Sequence, residues 1–158
     1  MLIIYSTLWI TNMKISFGSD HAGFEYKQKL IEWLKSQDYQ ILDFGAFSTD
    51  SVDYPDYAYP AAEAVAAGIA DYGIVICGTG IGVSITANKV SRIRAAVCYS
   101  PEVAQLSREH NNANVLALGA RFIDIELAKK IVTAFIEGEF QGGRHMIRIE
   151  KIHNLTGM

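Results

Sequence analysis

The chain has 158 residues, of which 50% are hydrophobic and 20% charged, with a formal net charge of -3. That composition excludes a disordered, collagen-like or low-complexity chain, and the absence of a basic excess argues against a nucleic-acid binder. The length suits one domain with a full core, and two cysteines make no disulfide framework, so reduced thiols in a cytoplasmic protein are expected.

The chain opens MLIIYSTLWITN, with no Lys or Arg before Lys14 and no Ala-x-Ala pattern, so it does not read as a signal peptide. No apolar run reaches the ~18 residues needed to span a bilayer. Residues 1–12 read as an extension ahead of the first strand, with Met13 as an alternative start. A strand follows at 14–17, then the loop Gly18-Ser19-Asp20-His21-Ala22-Gly23. Over 24–37 the apolar residues Leu30, Ile31 and Leu34 recur at helical spacing between Lys and Glu. A second strand at 40–44 ends at Gly45, and an Ala-rich helix at 57–67 stops at Gly68.

The third strand, YGIVIC at 72–77, is apolar on both faces, as a central strand of a parallel sheet should be. A glycine loop, 78–82, leads into a helix at 83–89. A strand at 94–98, a helix at 101–110 with Pro at its first turn, a strand at 115–118 and a helix at 123–137 complete the alternation. The tail carries Gly142-Gly143-Arg144-His145 and a weakly amphipathic stretch to residue 152. Five strands alternating with helices predict a three-layer αβα Rossmann-like sandwich with a five-stranded parallel sheet. The domain is expected over 13–152, with 153–158 as a short tail. Ligands of such sheets sit beyond the carboxyl ends of the strands, which draws attention to the loops there.

The most informative segment is Cys77-Gly78-Thr79-Gly80-Ile81-Gly82, which follows a buried strand and opens a helix. Its alternate glycines free backbone amides to face an oxyanion or a phosphate. It is neither a dinucleotide fingerprint, since Val83 replaces the third glycine, nor a P-loop, since no Gly-Lys-Ser/Thr follows. A tight turn without a ligand is the plain alternative. Cys77 at this turn is a candidate nucleophile or proton acceptor, or else a buried inert thiol. Thr79 can donate to an oxyanion or cap the helix. Asp20 and His21 are titratable neighbours after the first strand. His110 and Asn111 end the fourth helix, where the dipole alone favours a His. Arg144 and Arg148, four apart behind a Gly-Gly turn, can grip a phosphate, and Arg121 after the fifth strand can join them. Asp53-Tyr54-Pro55 reads as a rigid turn or, through Tyr54, as a pocket wall. The four His and two Cys show no metal-ligand spacing. The parts describe a site for an anionic small molecule.

The segments 18–24, 53–55, 77–82, 110–111 and 142–145 occur together in an order and spacing that closely resemble the type B ribose-5-phosphate isomerases of the ribose/galactose isomerase family. The resemblance runs from Met13 to about residue 152. It implies a homodimer, or a dimer of dimers, with sites at the subunit interface and neither cofactor nor metal, converting ribose 5-phosphate to ribulose 5-phosphate. It implies Cys77 as the base that moves a proton between C2 and C1. Thr79 and the amides of Gly78, Gly80, Ile81 and Gly82 would stabilise the enediolate. His110 and Asp20 would open the sugar ring, and Asn111 would bind hydroxyls. His21, Arg121, Arg144 and Arg148 would hold the phosphate, some of them from the partner chain. With Cys77 present and Ile81 where another branch carries a glutamate, the chain resembles the cysteine branch. An isomerase of a six-carbon phosphate, such as allose or galactose 6-phosphate, and a non-catalytic sugar-phosphate sensor are the competing readings.

Overall fold

Strand residues of alternating orientation must find cover on both faces of a parallel sheet, and the helices between them supply it. The computed structural model describes residues 12–158, so the expected extension lies, apart from Asn12, outside the described residues. The elements run β1 (Lys14–Ser19), α1 (Phe24–Lys35), β2 (Gln40–Asp43), α2 (Pro55–Ala66), β3 (Tyr72–Cys77) and α3 (Ile81–Ala87). They continue with β4 (Ala95–Val97), α4 (Pro101–Asn111), β5 (Val115–Gly119), α5 (Ile125–Glu137) and α6 (Arg144–Thr156). The five strands form one sheet in the order β2-β1-β3-β5-β4, and every pairing is parallel. This is the Rossmann-like α/β sandwich expected from the sequence.

The two faces divide along the strands residue by residue. Ile74, Ile76, Leu116 and Leu118 join Ile15, Phe17 and the buried faces of α1 and α5 in one core. Val75, Cys77, Val115 and Ala117 face the other way, against Ala58, Ala61, Ala62 and Val65 of α2 and Val83 and Ala87 of α3. The small side chains of α2 let it lie close to the sheet. A Cβ on Gly18 would fall 2.2 Å from the Tyr57 carbonyl oxygen, so glycine is required where β1 meets α2.

Local signals set most element ends. Ser100 and Asp124 cap α4 and α5 by accepting the Val103 and Leu127 amides at 3.2 and 2.8 Å. Pro55 and Pro101 stand in first turns, where a missing N–H costs nothing. Most other boundaries differ from the sequence reading by one or two residues, and three differences bear on the site. α2 begins at Pro55 rather than Tyr57, and α3 begins at Ile81 rather than Val83, because Gly80 at φ 80° turns the chain directly into the helix. The tail is a full helix to Thr156, longer than the periodicity alone implied.

Register fixes the rim of the sheet. Ser19 stands opposite Ile76, and Cys77 opposite Gly119. The chain therefore leaves β1, β3 and β5 at one level, and the segments after them lie side by side. Gly18→Ala is expected to lower stability by about 1–3 kcal/mol, the usual cost of overpacking. A urea-unfolding midpoint equal to the parent's would show instead that α2 can move away from β1 freely.

Candidate functional site

The crevice at the carboxyl rim, about 270 Å³, is lined by Asp20, His21, Tyr54, Cys77, Thr79 and Arg121, with Ala22, Gly78 and Gly82 between them. β3 delivers Cys77, which is 5% exposed. Its Sγ accepts the Gly80 amide at 3.2 Å and lies 4.0 Å from Thr79 Oγ1. Thr79 Oγ1 in turn accepts the Ile81 amide at 3.2 Å, and its carbonyl accepts the Tyr99 hydroxyl at 3.0 Å. The loop is thus fastened at Cys77, Thr79, Gly80 and Ile81. Two of the amides expected to face an oxyanion, those of Gly80 and Ile81, are already committed to Cys77 and Thr79.

Arg121 reaches this loop from the end of β5. Its amide donates to the Gly78 carbonyl at 3.1 Å, and its side chain lies over Gly78, where a Cβ would stand 3.1 Å from Nε. Tyr54 covers the other side. A Cβ on Gly82 would lie 2.7 Å from the tyrosine ring, so the glycine admits the aromatic wall. Asp20, 9% exposed, accepts the Gly23 amide at 3.0 Å and so shapes the turn into α1. His21 Nδ1 accepts the Val52 amide at 3.2 Å.

The remaining site residues do not join this crevice within one chain. His110 and Asn111 end α4 and precede β5, so they lie at the amino edge of the sheet, whereas Cys77 follows β3 at the carboxyl edge. A five-residue strand rising about 3.3 Å per residue separates the two levels. Arg144 and Arg148 are exposed on α6, which packs against α4. Beside them His145 stacks on His110, with ring centroids 4.3 Å apart and planes at 9°. Within one chain the expected site residues therefore fall into two separate groups, with Asp20, His21, Cys77, Thr79, Arg121 and the glycine loop at the carboxyl rim and His110, Asn111, Arg144 and Arg148 around α4 and α6.

Sequence reasoning assigned no role to His145 or Val52. The signal for His145 was its spacing of four from Ile149, which marks the buried face of α6. Val52 gave no signal, because a backbone amide carries no residue identity. The groove between α4 and α5, about 850 Å³ and lined by Trp33, Glu109, Glu126 and Lys129 among others, is larger than the crevice but contains none of these site residues. Among the described residues no three His, Cys, Asp or Glu side chains converge as metal ligands.

Residues 15–152 match the family model described as Ribose/Galactose Isomerase. The chain is 50% identical over 139 residues to ribose-5-phosphate isomerase B of Escherichia coli K12, covering 88% of this chain and 93% of that one. The structure of ribose-5-phosphate isomerase B from Clostridium thermocellum is similar with a TM-score of 0.91 at 52% identity, over 92% of this chain and 98% of the other. The Mycoplasma genitalium enzyme with ribulose-5-phosphate bound is similar with a TM-score of 0.87 at 41% identity, over 92% and 97% of the two chains.

Burial, then the charges of His110, Arg144 and Arg148, hold the His145 pKa below its ordinary value of 6.5. The unfolded chain takes up this proton near 6.5, and the fold does so only at lower pH. This contribution to stability is full above about pH 6.5 and is lost as pH falls through the folded value. The urea midpoint should drop between about pH 7.5 and pH 5.5, and His145→Phe should reduce that drop. An identical drop in the variant would assign the pH dependence to other groups.

Proposed function

The chain belongs to the ribose/galactose isomerase family, and on that premise we propose that it interconverts ribose 5-phosphate and ribulose 5-phosphate without a cofactor. The observation that carries the reading is Cys77 in the rim crevice, with Thr79 Oγ1 at 4.0 Å and Arg121 over Gly78. Moving a proton between carbons next to a carbonyl requires a positioned base and a ready home for the oxyanion. Cys77 as thiolate takes the C2 proton of the open aldose, giving an enediolate with its charge on O1; the hydroxyl proton on O2 passes to O1, and the thiol returns its proton to C1, leaving the carbonyl at C2. The Thr79 hydroxyl faces the charge that develops on oxygen. The Gly80 amide, bonded to Sγ, meets the charge on sulfur before and after transfer. Ring opening moves the C1 hydroxyl proton to the ring oxygen, the task assigned to Asp20 and His110.

The phosphate takes no part in the bond changes. Held by His21, Arg121, Arg144 and Arg148, it contributes binding energy that orients the sugar. The two separate groups support a homodimer with shared sites. A two-fold axis would set the α4–α6 end of one chain over the rim crevice of the other, and the symmetry would complete two sites at once. Exposed Met146 and Ile147 on α6, beside Arg144 and Arg148, offer the apolar contact such an interface needs. The two unpaired cysteines fit a cytoplasmic enzyme.

Cys77→Ala is expected to abolish conversion of ribose 5-phosphate while keeping substrate affinity, and Arg144→Ala chiefly to raise KM. Neither Cys77→Ala nor His110→Ala homodimers should turn over. Mixing the two under subunit exchange should recover about a quarter of the parent activity, since half the dimers are then mixed and each has one intact site. No recovery would refute shared sites. A parent inactive on ribose 5-phosphate but active on allose 6-phosphate would move the substrate to the six-carbon class.

A further inference from the structure

A lysine with no solvent exposure lies outside the machinery described so far. Lys27 on α1 is 0% exposed, and its Nζ donates to Asp43 Oδ1 at the end of β2. An ammonium so placed must be paired, and its retention calls for a reason beyond stability, because well-packed apolar residues would serve a core as well or better. Burial pushes its pKa below the ordinary lysine value, against the opposing pull of Asp43.

The surroundings of the pair point to the segment that leaves β2. The same Asp43 Oδ1 accepts the Gly45 amide at 3.0 Å. The Phe47 ring lies over Lys27 Nζ, with its centroid at 5.2 Å, and Phe24 lies on another side at 5.8 Å. Two backbone bonds join the same segment to the rim, from the Ser19 amide to the Gly45 carbonyl at 2.7 Å and from the Ala46 amide to the Ser19 carbonyl at 2.8 Å. The ammonium therefore holds the root of the segment through Asp43 and packs under its Phe47 ring. Further along, the segment places the Val52 amide against His21 Nδ1. An amide N–H can bond only a ring nitrogen that carries no proton. The proton of the neutral imidazole then resides on Nε2, which makes that nitrogen a donor.

We propose that the buried Lys27–Asp43 pair is a positioning device: it fixes the 44–52 segment so that the Val52 amide holds His21 as its Nε2–H tautomer, a neutral donor for the anionic group of the substrate. His21 lines the crevice beside Cys77 and Arg121, so the donor is available where a phosphate would sit. The identity of that anion rests on the isomerase reading, whereas the tautomer does not. Lys27 and Asp43 act only through His21, and a free imidazole would divide its proton between two nitrogens.

The test is 15N spectroscopy of the histidine rings in the full-length protein at about pH 8, with the His21 signals assigned from His21→Gln. The parent should show an unprotonated Nδ1 and a protonated Nε2 at His21. Two variants remove the device from opposite ends. Lys27→Met combined with Asp43→Leu deletes the pair without leaving a lone buried charge, and Val52→Pro removes the amide donor while leaving the pair in place. Both should give a mixture of tautomers at His21 with cooperative unfolding retained. Both should raise KM for ribose 5-phosphate about tenfold with kcat within about twofold, as expected when one hydrogen bond to a charged group is weakened. A protonated Nδ1 in the parent, or an unchanged His21 tautomer in either variant, overturns the proposal. A parent with an unprotonated Nδ1 that turns over no ribose 5-phosphate overturns the isomerase reading and leaves the tether standing.

Discussion

Ladder hydrogen bonds hold β1 beside β3 and β3 beside β5, with Ser19 opposite Ile76 and Cys77 opposite Gly119. A slip of one residue in either pairing would turn every side chain of the shifted strand to the wrong face, so the two cores lock the register. Ile74 and Ile76 belong to the α1–α5 side, and Val75 and Cys77 to the α2–α3 side. The thiol is on the α2–α3 face because of that alternation, and it is at the rim because β3 ends there. Its neighbours from β1 and β5 arrive at the same level for the same reason.

The glycines of the site follow from how closely its parts approach. Gly82 admits the Tyr54 ring, Gly78 admits the Arg121 side chain, and Gly119 lets the Thr79 carbonyl come to a position 2.6 Å from where a Cβ would stand. A crevice of this size can be both narrow and polar only if backbone forms much of its wall. The loop spends two of its amides on its own cysteine and threonine, which fixes the positions of Sγ and Oγ1 before any ligand arrives. Preorganisation of this kind is what proton transfer next to a carbonyl requires.

A parallel sheet separates the groups that follow strands from the groups that precede them. Arg144, Arg148, His110 and Asn111 cannot reach Cys77 of their own chain, because the length of the sheet lies between them. These four residues gather around α4 and α6, at the opposite end from the crevice. The stacked His110 and His145 rings give that end its own internal order, independent of the rim crevice.

Much of this was legible in the residues themselves. The alternation of apolar runs and amphipathic stretches determined the Rossmann-like sandwich, because burial on both faces of a parallel sheet demands that pattern. The glycine loop after YGIVIC marked the crevice, because only glycines at that spacing permit such close approach. Tertiary structure alone decided that the rim residues and the α4–α6 residues lie apart, since the order β2-β1-β3-β5-β4 depends on pairings between residues far apart in the chain. It alone decided that Lys27 is buried against Asp43. On a helix with Lys29 and Lys35 nearby, nothing local distinguishes the lysine that faces the core from those that face water. The Val52 amide at His21 was likewise invisible, because a backbone donor acquires a partner only when the chain has folded around it.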